Sequence, residues 1–231
     1  MNIAGSTALV TGASRGLGRH FAQQLAARGA TVYAAARNPD AVDLPGVIPL
    51  ALDVTDPDSV AAAAQTAQDV SLLINNAGSN TRSALTSGAM ADIRLEMDTH
   101  FFGTLAVSRA FAPHLAAAGG GAILNVLSVL SWYTTPNSAY CAAKSAEWSL
   151  TNALRLELAE QKTLVSALHV GYMDTDMTAS IDAPKSDPAE VAATALDGVE
   201  AGRVEILADD LSHTVQAGLA GGVTALYPQF A

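Results

Sequence analysis

Thr7-Ala8-Leu9-Val10-Thr11-Gly12-Ala13-Ser14-Arg15-Gly16-Leu17-Gly18 starts as a short apolar run and passes through a glycine-bearing turn. It then enters a segment, reaching Arg28, in which Phe21 and Leu25 recur at helical spacing. Strand, glycine turn and helix in that order let backbone approach an anionic group at a helix N-terminus, where unpaired N–H groups and the helix dipole favour negative charge. Three glycines alone are a weak signal, because a tight strand-to-helix turn uses them without any ligand.

The rest of the chain repeats the theme. Apolar runs at 31–35, 47–52, 72–74, 122–127 and 164–170 read as parallel strands buried on both faces. Helical patterns separate them at 16–28, 59–68, 90–117, 138–161 and 188–201. The alternation predicts an α/β fold: a single-domain, doubly wound (Rossmann-type) parallel sheet with helices on both faces. A last run at 204–208 adds an edge strand, followed by a helical segment from Asp210 to a glycine-rich end at 218–222. With no linker and no internal repeat, residues 1–231 read as one domain. The stretch 182–188, with two prolines and mixed charge, reads as a loop and a candidate lid, part of a substrate-loop region around 176–188. Ligands of open α/β sheets bind outside the carboxyl ends of the strands, where such a loop lies.

Half of the 231 residues are apolar, enough for a sizeable core, and 22 acidic against 12 basic residues give a net charge of −10. No Lys/Arg cluster occurs, which argues against a nucleic-acid surface or a polybasic membrane patch. The single Cys141 forms no intrachain disulfide, and no Cys/His cluster has metal-ligand spacing, which fits a reducing compartment and a metal-free protein. The start, Met-Asn-Ile-Ala-Gly-Ser, lacks the basic segment of a secretion signal, so a cytoplasmic location is expected. No charged residue lies between Arg109 and Lys144, yet Pro113, the glycines at 119–121, Asn125 and Pro136 interrupt that stretch. A spanning helix needs about 20 predominantly apolar residues, so the stretch reads as a buried centre.

Tyr140-Cys141-Ala142-Ala143-Lys144 puts a phenol and an ammonium one helical turn apart on a shared face. A free phenol titrates near ~10, and a neighbouring cation stabilises the phenolate, so the spacing allows an acid-base pair.

Gly12-x-x-x-Gly16-x-Gly18, Asn75-Asn76-Ala77-Gly78 after the fourth run, and Tyr140-x-x-x-Lys144 occur in order. Together they resemble the short-chain dehydrogenase/reductase family over nearly the whole chain. The resemblance implies a nicotinamide dinucleotide cofactor cradled by Gly12, Ser14, Arg15, Gly16, Leu17 and Gly18, with Asp53 and Val54 around the adenine. It places Asn76, Ala77 and Gly78 on the adenosine side. Gly171 and Thr175 would hold the nicotinamide carboxamide, with Tyr140 and Lys144 near the nicotinamide ribose. Val170-Gly171 stands where the family usually has Pro-Gly, which predicts a less rigid loop. Family members that use NAD carry an acid at the end of the second strand. Here that strand ends Ala34-Ala35-Ala36-Arg37-Asn38, and Arg15 and Arg37 can flank a 2′-phosphate, so NADP(H) is favoured over NAD(H).

The catalytic set implied by the resemblance is Ser128, Tyr140 and Lys144. Ser128 lies twelve positions before Tyr140, one fewer than the usual family interval, and three after Asn125, as the family serine does. Ser131 competes for the role and otherwise belongs to the pocket wall or caps a turn. His100, in Asp98-Thr99-His100-Phe101-Phe102-Gly103, occupies the position of a family asparagine that supports a water chain to the lysine. Imidazole can hold that water, relay the proton itself, or only satisfy a helix kink. Trp132, Tyr133, Pro136, Tyr172, Met173 and Met177 are pocket candidates, and Trp148 belongs to the core or an interface. His20, His169 and His213 carry no catalytic assignment.

The activity implied is NADP-dependent hydride transfer to a ketone, or from a secondary alcohol. Lys144 lowers the pKa of Tyr140, the general acid/base, in a homodimer or homotetramer acting on a small carbonyl or alcohol. The alternative is a catalytically silent NADP-binding regulatory protein of the same fold. Enoyl reduction, which in this family commonly uses a wider Tyr–Lys spacing, and epimerisation, with a different glycine spacing, match less well.

Overall fold

All seven strands lie parallel in one sheet in the computed structural model, which describes residues 1–230. In chain order they are β1 (Thr7–Thr11), β2 (Thr31–Ala36), β3 (Ile48–Ala51), β4 (Leu72–Asn75), β5 (Gly121–Val126), β6 (Thr163–His169) and β7 (Glu205–Leu207). Their spatial order, β3-β2-β1-β4-β5-β6-β7, places the switch in winding direction between β1 and β4. The glycine turn and Asn75–Gly78 therefore emerge side by side, at the point where such sheets take their ligands.

Alternation along each strand divides the core in two. Ala8 and Val10 of β1, Leu72 and Ile74 of β4, and Ala122 and Leu124 of β5 face α1 (Gly16–Ala27) and α6 (Pro188–Glu200). Leu9, Leu73 and Ile123 face the other way, toward α2 (Pro57–Thr66), α4 (Thr104–Ala117) and α5 (Ser138–Glu157). Burial on both faces is why the strands read as continuous apolar runs. Asn75 is an exception: its Nδ2 donates to Asn125 Oδ1 at 2.8 Å and Ser108 Oγ at 3.1 Å, while its buried Oδ1 has no partner in the protein. Asn125 passes the chain on to Thr151 Oγ1 at 2.9 Å, tying the ends of β4 and β5 to α4 and α5.

Three boundaries differ from the sequence expectation. The helix starts at Pro57 instead of residue 59 because Asp56 caps it, accepting from Asp58 N at 3.0 Å with proline in the first turn. α5 stops at Glu157 rather than 161, and the chain reverses through Lys162 at φ +63°. The largest difference lies in 90–117, expected as one helix. It divides into α3 (Met90–Met97), a π-helical turn over Asp98–Gly103, and α4. The wider turn contains His100, and a Cβ on Gly103 would lie 2.9 Å from Val54 Cγ2. The final segment forms α7 (Asp210–Gly218) and α8 (Gly222–Leu226). Among the described residues no helix is long and apolar enough to cross a membrane.

Candidate active site

The glycine turn uses each glycine differently. Gly12 and Gly16 have φ of +67° and +53°, the left-handed region that a side chain resists. Gly18 has no such angle, but a Cβ there would lie 2.3 Å from Gly12 O and 2.4 Å from Asn76 Nδ2. Any side chain at 18 would push α1 off the turn. Asn76 Nδ2 donates to Thr11 O at 2.9 Å, and Thr11 Oγ1 accepts from Asn76 N and Ala77 N, each at 2.9 Å. Asn76 and Ala77 thus brace the turn from β4. Gly78 continues toward His100, whose Cε1 would sit 2.9 Å from a Cβ at that position.

The first turn of α1 has neither an acidic residue nor a side-chain cap, since Arg15 occupies the N-cap. By contrast, α2, α6 and α7 are capped by Asp56, Asp187 and Asp209, which accept from Asp58 N, Ala189 N and Ser212 N. With Ser14 half-buried and Leu17 packed into the core, backbone lines the α1 end, and the residues present fit a phosphate-bearing group.

Arg15 and Arg37 are both exposed, and Arg15 Nη1 lies 3.6 Å from Asp176 Oδ2. The Asp53 carboxyl rests below its ordinary range. Burial raises it, but the Thr55 N–H and hydroxyl, at 3.0 and 2.7 Å, and the nearby Arg37 outweigh burial. Val54 packs over Gly103. Thr175 places its methyl 3.6 Å from where a Gly16 Cβ would lie, so the loop after β6 reaches the glycine turn. Gly171 N donates to Asp209 Oδ2 at 2.7 Å, which anchors the loop that lacks the family proline. The 176–188 loop is closed at its base, where Asp174 N donates to Ser186 O at 3.0 Å and Ser186 N to Tyr172 O at 2.8 Å.

At the carboxyl end of β5, Lys144 is 5% exposed and its Nζ donates to Val126 O and to Glu147 Oε2, both at 2.7 Å. Ser128 Oγ accepts from Leu130 N at 3.1 Å and donates to Val170 O at 3.4 Å. Lys144 Nζ lies 5.9 Å from the centre of the Tyr140 ring, and the His100 ring meets that ring edge-on at 5.2 Å. The sheet end therefore collects Ser128, Tyr140, Lys144 and His100.

One expectation is corrected. Lys144 pulls the Tyr140 phenol down, as the spacing implied, but the net direction is upward. Burial is the largest cause, and Glu147, Glu96 and Cys141 add to it. Burial likewise pulls the Lys144 ammonium down, and Glu147 and then Tyr140 more than reverse it.

His100, 1% exposed, lies between the two glutamates. Its Nε2 lies 2.9 Å from Ser79 O and 3.4 Å from Ser79 N. The same nitrogen is 3.4 Å from Glu96 Oε2, and Nδ1 is 3.9 Å from Glu147 Oε2 with no hydrogen-bond partner in the protein. Thr104 Oγ1 donates to Glu147 Oε1 at 3.0 Å. Ser79 Oγ, at 2.9 Å, and Thr81 N donate to Glu96. Burial raises the Glu96 carboxyl, but the His100 and Thr81 hydrogen bonds outweigh it and bring it to about 2. Sequence reading missed both glutamates, although Glu96 stands four before His100 and Glu147 three after Lys144.

Of the two places expected for Ser131, pocket wall or turn cap, its contacts fit the turn. It is buried beneath Ser128, its Oγ donating to Ser128 O at 2.5 Å and lying 3.2 Å from His169 Nδ1. His169 Nδ1 is 3.3 Å from Ser128 O, and its Nε2 lies 2.8 Å from Glu205 Oε2. Arg155 Nη1 holds the other Glu205 oxygen at 2.9 Å. Trp132 stacks on His169 at 3.7 Å and meets Trp148 edge-on at 6.4 Å, and both tryptophans are half-buried. Tyr133, Tyr172 and Met173 are half-buried, Pro136 and Met177 are exposed, and Tyr227 Oη accepts from Thr134 N at 2.6 Å from the far end of the chain.

Comparison with known proteins agrees with this geometry. A short chain dehydrogenase family profile matches residues 6–186. The ketoacyl reductase HetN of Nostoc sp. is 30% identical over 226 residues, covering 89% of this chain and 79% of the relative. The crystal structure of a short chain dehydrogenase from Burkholderia cenocepacia in complex with NADP is 37% identical, covers 99% of this chain and 98% of its own, and superposes with a TM-score of 0.94. A 7α-hydroxysteroid dehydrogenase complexed with NADH and 7-oxo glycochenodeoxycholic acid is 26% identical over 89% of this chain and 94% of its own, with a TM-score of 0.83. With the sheet order, the braced glycine turn and the Tyr140–Lys144 pair already in place, these matches identify the chain as a member of the short-chain dehydrogenase/reductase family of oxidoreductases.

Proposed function

We propose that this chain is an NADP-dependent oxidoreductase acting between a ketone and a secondary alcohol, with Tyr140 as the general acid and base. Support comes from one arrangement above all: Val126 O holds the buried Lys144 one helical turn from Tyr140 and two residues before Ser128. A bound nicotinamide dinucleotide supplies or accepts the hydride. The Ser128 hydroxyl polarises the substrate carbonyl, and Tyr140 donates its proton to the oxygen as charge develops there. Positioned groups of this kind are commonly worth ~10²-fold or more each. A phenol that titrates above its ordinary value is protonated at neutral pH, the form that reduction requires.

Gly12, Ser14, Gly16 and Leu17 offer backbone to the cofactor phosphates, with Gly18 keeping α1 close behind them. Arg15 and Arg37 favour a 2′-phosphate, since β2 ends in Ala36 with no acid at 37 or 38. An NADP complex of a family member 37% identical agrees with this preference, although another family structure holds NADH. The single domain, 1–231, then carries its substrate lid at 176–188. We place the enzyme in the cytoplasm as a homodimer or homotetramer, and Phe102, Leu95 and Leu156 offer exposed apolar surface for assembly.

Purified protein mixed with NADPH or NADH and a panel of ketones tests the reading, followed by loss of reduced-nicotinamide absorbance. The expected result is consumption of NADPH with at least one ketone and a lower kcat/KM with NADH, with Arg37→Ala narrowing the difference about tenfold. Tight NADPH binding without turnover on any carbonyl would favour the silent regulatory protein instead.

A further inference from the structure

Tyr140, Lys144 and Glu147 follow one another along a single face of α5, and the third of them belongs to neither the family motifs nor the matched roles. Lys144 is buried, and an ammonium out of water needs a counter-charge. It has one at 2.7 Å in Glu147 Oε2, while the centre of the Tyr140 ring is 5.9 Å from Nζ. Electrostatic attraction falls with distance, so the carboxylate takes most of the ammonium's field. Glu147 is itself buried and fixed from α4 by the Thr104 hydroxyl at 3.0 Å, so it does not turn away into solvent.

We propose that Glu147 is a positioning residue that withholds the Lys144 charge from Tyr140 and keeps the phenol protonated, the form from which carbonyl reduction starts, at the expense of the phenolate from which alcohol oxidation starts. This role rests on Tyr140 being the acid-base group of the proposed reaction. The charged and titratable groups facing the pair come from three elements. Lys144 and Cys141 belong to the same helix, and His100 approaches from the π-helical turn. Thr104 binds Glu147 from α4, and Glu96 lies behind His100 on α3. Around one phenol the site therefore gathers two carboxylates against one ammonium and one imidazole. Both carboxylates push the phenol's titration upward, against Lys144.

An ultraviolet titration of tyrosinate on the cofactor-free full-length protein tests this without turnover. The difference between the protein and its Tyr140→Phe variant isolates the Tyr140 signal, and the same difference is then measured in a Glu147→Gln background. Glutamine keeps one acceptor oxygen for Lys144 Nζ, can donate its NH2 to the Thr104 hydroxyl oxygen, and removes the charge. The Tyr140 midpoint is expected to fall by about one pH unit in Glu147→Gln, staying within about half of that of the parent in Glu147→Asp and Thr104→Val. With an alcohol substrate, the acid limb of the oxidation profile moves down by the same amount. If Glu147→Gln fails to fold, Glu147→Leu removes the same charge at similar volume. An unchanged or raised midpoint in the folded variant overturns the proposal. Should Tyr140→Phe turn over normally, the acid-base reading fails on its own evidence; should Tyr140→Phe be inactive while the midpoint stays put, only the role of Glu147 fails.

Discussion

His100 and His169 are buried to 1% and 0% exposure, and each lies against a glutamate, yet they do different work. His100 stands between Glu96 and Glu147, the second of which pairs with Lys144, and its ring meets Tyr140 edge-on. His169 stands behind the serine, linking Ser131 and the Ser128 carbonyl to Glu205 and Arg155, with Trp132 stacked on its face. Burial beside a carboxylate does not distinguish them. What separates them is the far end of each network: one ends on the proposed acid-base pair and the other on a strand at the sheet edge.

The contrast depends first on Tyr140. Tyr140→Phe is expected to lower kcat by about 10³-fold or more while cofactor binding, followed by tryptophan fluorescence, is retained; near-normal turnover would remove the reason for singling out the His100 cluster. Next in size is the Glu96 carboxyl. Its folded pKa of about 2 lies below the ordinary 4.5, so between those values the unfolded chain binds more protons and stability rises with pH. The stabilisation, about 3 kcal/mol, is therefore complete above pH 4.5 and lost as pH falls toward 2. Urea melts of Glu96→Gln against the parent should show a gap that closes over that window, and a gap independent of pH would show that Glu96 owes its effect to shape.

His169→Asn breaks the scaffold network and should cost about 2 kcal/mol of stability by denaturant melt without moving the pH profile of turnover. A displaced pH profile would erase the distinction between the two histidines. The smallest effect is expected for His100→Asn. Turnover should stay within about tenfold of the parent, with the profile shifted, because asparagine still donates and accepts but no longer titrates. An unchanged profile would make His100 a packing residue like His169.

The sequence made the sheet legible because its strands are buried on both faces and read as unbroken apolar runs, bounded by glycines, prolines and polar caps. The glycine turn was legible for the same local reason, whereas Ser128 was singled out through the family resemblance, by counting from Asn125. What lay beyond reading depends on contacts across the fold. The π-helical turn interrupts a sequence whose pattern is helical throughout 90–117, and its His100 is held between glutamates from α3 and α5. Ser131 stayed open between pocket wall and turn cap because its other partner, His169, lies on β6, far along the chain. The Tyr140–Lys144 spacing gave the sign of one charge correctly. Burial, which spacing does not report, together with Glu147 and Glu96 reversed the net direction.

The uncapped start of α1 has a consequence for the whole molecule. Helices α2, α6 and α7 bring their own aspartate to the N-terminus, whereas α1 leaves its first N–H groups to whatever anion arrives. Any ligand that completes this helix binds the native state and not the unfolded chain, so its concentration shifts the folding equilibrium by mass action, about 2.7 kcal/mol at a hundredfold excess over Kd. The stability of this protein in a cell would then follow its nucleotide supply, and a chain without ligand would be the first to be unfolded and degraded.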